Sequence, residues 1–152
     1  MADHRREQIL DAIEGLVTDL ATTGSNVWRG LDFVLPDTYL PGLVIFQGDD
    51  EPADDDGGSG MTLVDSWLTV RLKACAKDTS EETAEETLNR IFLEVTQALA
   101  ADYTLGLDFV IDSEEGPTTE PDRDSEGERP VRAAALTWRV KYRRSRTDPS
   151  TG

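Results

Sequence analysis

The chain has 152 residues, 38% of them hydrophobic and 30% charged, which suits one domain with generous polar loops. Lys and Arg number 15 against 31 Asp and Glu, for a formal charge of -16, and such a body repels phosphate and argues against a general nucleic-acid clamp. One cysteine, Cys75, excludes an internal disulfide, and with the one histidine, His4, it cannot complete a four-ligand zinc site. A histidine-based triad would have to draw on a residue close to the start of the chain. No apolar run approaches the ~20 residues that span a bilayer, and Met1 to Gln8 lacks the hydrophobic core of a signal peptide. The expected location is a cytoplasm, or a particle assembled there.

Ile9, Leu10, Ile13, Leu16, Val17 and Leu20 form one apolar stripe, which predicts a helix from about Asp3 to Leu20 with Gly24 just beyond its end. A passage punctuated by Pro36 and Pro41 leads to Leu43-Val44-Ile45-Phe46, which reads as a strand. Gly48 to Gly60 reads as an exposed loop, because its carboxylates repel one another and its glycines make order expensive. Next, Leu68, Val70, Leu72 and Ala74 alternate with Thr69, Arg71, Lys73 and Cys75, giving a long strand with one core face and one wet face.

The second helix carries Ala84, Leu88, Ile91, Phe92, Val95 and Leu99 on its apolar stripe. Thr79 with Glu82 offers a capping box at its start, and Asp78 with Glu81 competes. Leu107, Phe109 and Ile111 predict a short strand, followed by a Pro-, Gly- and acid-rich loop from Ser113 to Arg129. In the last strand, about Val131 to Arg143, Ala134, Leu136, Trp138, Val140 and Tyr142 face the core. The expected fold class is α+β: a single domain over 1–144, a mainly antiparallel sheet of four to five strands with two amphipathic helices on one face, and a loose tail over 145–152.

Few constellations suggest chemistry. The acidic run Asp49 to Asp56 has no recognisable ligand spacing and reads as a solvated loop rather than a cation site. Asp122-Arg123-Asp124-Ser125-Glu126-Gly127 copies the first half of a calcium-binding loop, but Ala133 stands where the bidentate Glu belongs. Cys75, near Lys73 and Lys77, reads as a small half-buried strand residue rather than a reactive thiol. Trp138 belongs to the core, whereas Trp67 shares the face of Thr69 and Arg71 and is a candidate protein contact. Arg139, Lys141, Arg143, Arg144 and Arg146 gather positive charge at the C-terminal strand. They are either a solvated strand face or a contact for acidic groups on another copy, with Asp54, Asp55, Asp56, Asp122 and Asp124 as the candidate acidic partners.

The order and spacing of several segments carry a resemblance. The first helix leads into Ala21-Thr22-Thr23-Gly24-Ser25-Asn26-Val27-Trp28-Arg29, then Leu40-Pro41-Gly42-Leu43-Val44-Ile45-Phe46 and Gly48-Asp49. The second helix closes with Ala98-Leu99-Ala100-Ala101-Asp102-Tyr103-Thr104-Leu105-Gly106, and the end is Arg129-Pro130-Val131 running into Leu136-Thr137-Trp138-Arg139-Val140-Lys141-Tyr142-Arg143. From about Arg5 to Arg143 the chain resembles the tail terminator (minor tail protein U-like) family of long-tailed bacteriophages and related tailed viruses.

That resemblance implies a non-enzymatic virion protein that assembles as a homohexameric ring on the head-proximal end of the tail tube. Such a ring ends tube growth and offers a surface for head–tail joining. It implies as partners the tail tube protein and a head–tail connector protein, with DNA passing through unbound, and no cofactor or membrane. Net repulsion among acidic copies is screened by salt, so salt is expected to ease assembly. The acid excess is also a habit of proteins from very salty cytoplasms. The alternatives are another neck component, a tube subunit, or a cation-dependent enzyme using the acidic loops.

Overall fold

In a computed structural model, residues 2–30, 35–53, 62–123 and 131–152 are described. Two helices, α1 (Arg5–Val17) and α2 (Ala84–Ala100), pack on one face of a mixed sheet built from β1 (Val27–Arg29), β2 (Gly42–Pro52), β3 (Leu63–Lys77), β4 (Val110–Thr118) and β6 (Val131–Ser145). Spatial order is β1-β2-β3-β6-β4, and the two-residue β5 (Asp122–Arg123) adds a rung to β6. This is the expected single-domain α+β architecture.

The backbone of the sheet is the antiparallel pair β3–β6, in unbroken register from Leu63 opposite Ser145 to Lys77 opposite Val131. Alternation sorts both strands as their sequences require. Leu68, Val70, Leu72 and Ala74 meet Val140, Trp138, Leu136 and Ala134 beneath the helices, all nearly or wholly buried. The helices supply Ile9, Leu10, Ile13 and Val17 from α1, and Leu88, Ile91, Val95 and Leu99 from α2. Each such aliphatic side chain contributes about 1.5–3 kcal/mol through removal from water, so this layer dominates the stability.

The first helix is shorter than its stripe suggests, and the second begins after its expected caps. His4 caps α1, its Nδ1 accepting from the Arg6 N–H at 2.9 Å. At the other end Asp19 takes a positive φ of 65° two residues after Val17, and Gly24 (φ +56°) instead closes the following turn onto Leu20. For α2 the Thr-x-x-Glu pattern occurs twice, and the second copy is the one used. Thr83 and Glu86 form the capping box, while Thr79 closes a turn by accepting from the Glu81 and Glu82 N–H groups. Glu82 is thereby released to bind Arg90.

Several further boundaries differ from expectation. The acid-rich stretch after Gly48 begins as strand, since β2 runs to Pro52 with a bulge between Gln47 and Asp50. Likewise residues 113–118 belong to β4, whose exposed Asp112, Glu114 and Glu115 sit on an edge strand where carboxylates keep their water. The strand expected around Leu107 starts at Val110, and its bulges invert the expected facing, so that Val110 is buried and Ile111 exposed. The last residues, expected as a loose tail, fold back: Pro149 O accepts from Arg5 N at 2.9 Å, and Thr62 O accepts from Arg146 N at 2.8 Å.

β1 runs parallel to β2, so the chain must cross over one face of the sheet to join them. The helices occupy the other face, and the crossover brings buried Leu35 onto Val44 and Cys75, with Trp28, Leu40 and Phe46 around it. A Cβ at Gly42 would lie 2.5 Å from Tyr39 O, so only glycine lets the crossover sit this close. Cys75 is therefore fully covered rather than half-buried. Only one end of this face is covered by Leu35, and the other end carries the candidate contact residues.

Candidate functional site

The helix-free face of β3 and β6 is set by their register. Trp67 lies opposite Lys141, Thr69 opposite Arg139, Arg71 opposite Thr137 and Asp65 opposite Arg143. Trp67 is half-buried under two cations: the Arg139 guanidinium carbon stands 4.5 Å from its ring centroid and the Lys141 Nζ 5.9 Å. Arg71 stacks over Phe46 at 5.3 Å. Cations over aromatic faces are attracted by the ring quadrupole, by about 0.5–1 kcal/mol each at exposed sites. The result is an aromatic patch studded with positive charge in the middle of a protein of charge -16.

The edges of this face are acidic. Glu114 on β4 accepts from Arg139 Nη1 at 2.7 Å, and Glu51 on β2 lies opposite Trp67. At one end Arg143 forms a fork onto Asp65, with Nε donating at 2.7 Å and Nη2 at 3.1 Å to the two carboxylate oxygens. Asp65 is almost completely buried, and its carboxylate raises the Arg143 pKa above the usual value.

Of the sequence-derived contact residues, Trp67, Arg139 and Lys141 come together as one patch. Arg143 shares their face but is committed to Asp65, and Arg144, opposite Val64, projects from the reverse face, where adjacent strand residues must point. Asp122 is exposed on β5 opposite Ala133. Asp54, Asp55, Asp56 and Asp124 lie outside the described residues.

Two networks escaped the sequence reading. On the helix side, the Tyr142 hydroxyl donates to Asp50 Oδ2 at 2.6 Å, and Arg6 Nε donates to the same oxygen at 2.8 Å. Burial, reinforced by the neighbouring carboxylate, pushes the Tyr142 phenol up to about 12. The β2 bulge is what re-aims Asp50, and no local pattern announced it. Second, a cleft of about 420 Å³ lies between α2 and the turn after α1, lined by Thr22, Pro41, Lys77, Arg90 and Glu94 among others. Its polar groups are mutually engaged: Arg90 grips Glu82 at 2.6 and 2.7 Å, and the Thr22 hydroxyl donates to Glu94. The Arg90 hydrogen bonds, with one from Thr87, hold the Glu82 carboxyl down at about 2.

Among the described residues, no group of three or more His, Cys, Asp and Glu could hold a metal ion, and no helix is long and apolar enough to cross a membrane. The arrangement suits recognition by a macromolecular surface: an aromatic centre, fixed cations and a polar rim. No protein-family model matches this chain, and no curated protein matches its sequence.

Proposed function

We propose that the protein is a structural, ring-forming subunit of a tailed virus: a tail terminator. In this reading it closes as a homohexamer on the head-proximal end of the tail tube, ends polymerisation there and presents a surface to the head–tail connector. The observation that carries the reading is the chemical inequality of the two broad faces. One is a helix layer rich in carboxylates; the other is an aromatic and cationic strand face. A head-to-tail ring requires two different patches on each subunit, and an isologous dimer does not. The sequence resemblance from about Arg5 to Arg143 supplies the viral context. An acidic ring would let DNA pass without retention, because like charges repel.

Imaging of the purified protein at low and high salt, with mass measured in parallel, tests the proposal. Closed six-fold rings with a central pore are expected, and they should be favoured as the Debye length falls from ~10 Å at 0.1 M salt to ~3 Å at 1 M. Open stacked tubes would replace this reading with that of a tube subunit. Rings that dissolve steadily as salt is added would remove the electrostatic part of the argument.

A further inference from the structure

The basic residues are not spread evenly. Six of the chain's 15 Lys and Arg, namely Arg71, Lys73, Lys77, Arg139, Lys141 and Arg143, lie on the helix-free face of β3 and β6 with one acid between them, Asp65, while Glu51, Asp112 and Glu114 stand on the flanking strands. The opposite imbalance marks the segment from Asp78 through Glu94, which holds six carboxylates and one cation, Arg90. Arg90 is already gripped by Glu82, so the charge left outward at the start of α2 is negative, with Glu81 just before the helix and Glu85 and Glu86 in its first turn all exposed. Further along the same exposed stripe stand Asn89 and Leu93, the latter 56% exposed. Thus α2 presents an apolar side chain behind carboxylates on one face of the molecule. The strand face presents Trp67 beneath Arg139 and Lys141 on the other.

Resting on the ring reading above, we propose that these two surfaces are the two halves of one contact: the Trp67 face of each copy receives the N-terminal half of α2 of the next. The occupant is a second copy of this chain, identified by opposite charge and by the exposed Leu93. Carboxylates at the start of α2 meet Arg139 and Lys141, and Leu93 meets the Trp67 ring. The two surfaces lie on opposite layers of a two-layer domain, so the contact cannot satisfy itself within a pair and propagates from copy to copy. Desolvated aromatic anchors ringed by polar pairs are where interface energy concentrates. The exposed β4 edge is not used, since its bulges and carboxylates oppose strand addition.

Two single substitutions test this, Thr69→Cys on the strand face and Asn89→Cys on α2, with Cys75 left in its buried site. Mixed and mildly oxidised, the two variants should form disulfide-linked pairs, whereas each alone should not. In parallel, Arg139→Glu with Lys141→Glu should weaken association at least tenfold by sedimentation. Glu81→Lys with Glu85→Lys should do the same, and mixing the two reversed proteins should restore association. Circular dichroism and melting curves of every variant confirm folding. Rings that still form, without cross-links and indifferent to both reversals, overturn this contact while leaving the ring reading intact. Self-linking by Thr69→Cys alone overturns it in favour of a two-fold pairing. A chain that stays monomeric at all concentrations overturns both, and quenching of Trp67 by single-stranded DNA in that monomer would reassign the face to nucleic acid.

Discussion

The two faces of β3 are built from alternate residues of one strand, yet they are held by different physics. On the helix side Leu68, Val70, Leu72 and Ala74 are wholly buried, and their stabilisation is non-directional removal from water. On the other side Trp67, Thr69, Arg71 and Lys73 are exposed or half-exposed, and order comes from directional pairs: cations over rings, Arg139 on Glu114, Arg143 on Asp65. The first face makes the molecule fold. The second, already arranged but incompletely covered, suits a partner that arrives afterwards, because its side chains need little further ordering on contact.

That contrast can be broken at graded cost. Leu88→Ala in α2 removes a wholly buried side chain from the covered face and should cost about 3 kcal/mol in denaturant unfolding, whereas Thr69→Ala on the open face should stay within about 0.5 kcal/mol. Equal losses at the two positions would show that the open face shares the folding role. Arg143→Ala is the exception that sharpens the division. It strands the buried Asp65 carboxylate and should cost about 2 kcal/mol, less than a fully buried pair because Arg143 is itself one-third exposed.

Thr83→Ala should destabilise by about 1 kcal/mol, and Thr79→Ala by clearly less, since only Thr83 closes the capping box of α2. The reverse order in thermal melts would move the helix start upstream. The smallest effect is in pH. Burial lowers the His4 pKa below its ordinary 6.5, with Arg6 and Arg144 acting in the same direction. The unfolded chain therefore binds the proton more readily, and stability is full above pH 6.5 and declines as pH falls through the lower, folded value. Protonation also removes the Nδ1 acceptor and sets positive charge at the positive end of α1, an effect of about 0.5 kcal/mol. Melting curves between pH 8 and 5 should show this decline, and His4→Asn, which keeps a capping acceptor, should flatten it.

What was readable along the chain was what local periodicity encodes. The alternation in residues 68–75 and 134–142 assigned each side chain of the two central strands to its face, Trp67 included, and the α2 stripe named Ala84, Leu88, Ile91, Val95 and Leu99 among its buried residues, missing Thr87. Local cap signals were less decisive: Thr79 and Asp78 were the expected caps of α2, but Thr83 begins the same Thr-x-x-Glu pattern four residues later and is the one that closes the box. Partners of charged groups were beyond reach for a deeper reason. Arg143 finds Asp65 across 78 residues of chain and Tyr142 finds Asp50 across 92, through a bulge no composition announces. By itself, then, the sequence determined one acidic α+β domain and the facing of its long strands, because burial follows from short-range repetition. The tertiary structure alone decided that β1 joins in parallel and that its crossover shuts one end of the open face. It also decided that Arg143 is committed to Asp65 while Arg139, itself paired with Glu114, and Lys141 surround Trp67, because those depend on what folding brings together from distant parts of the chain.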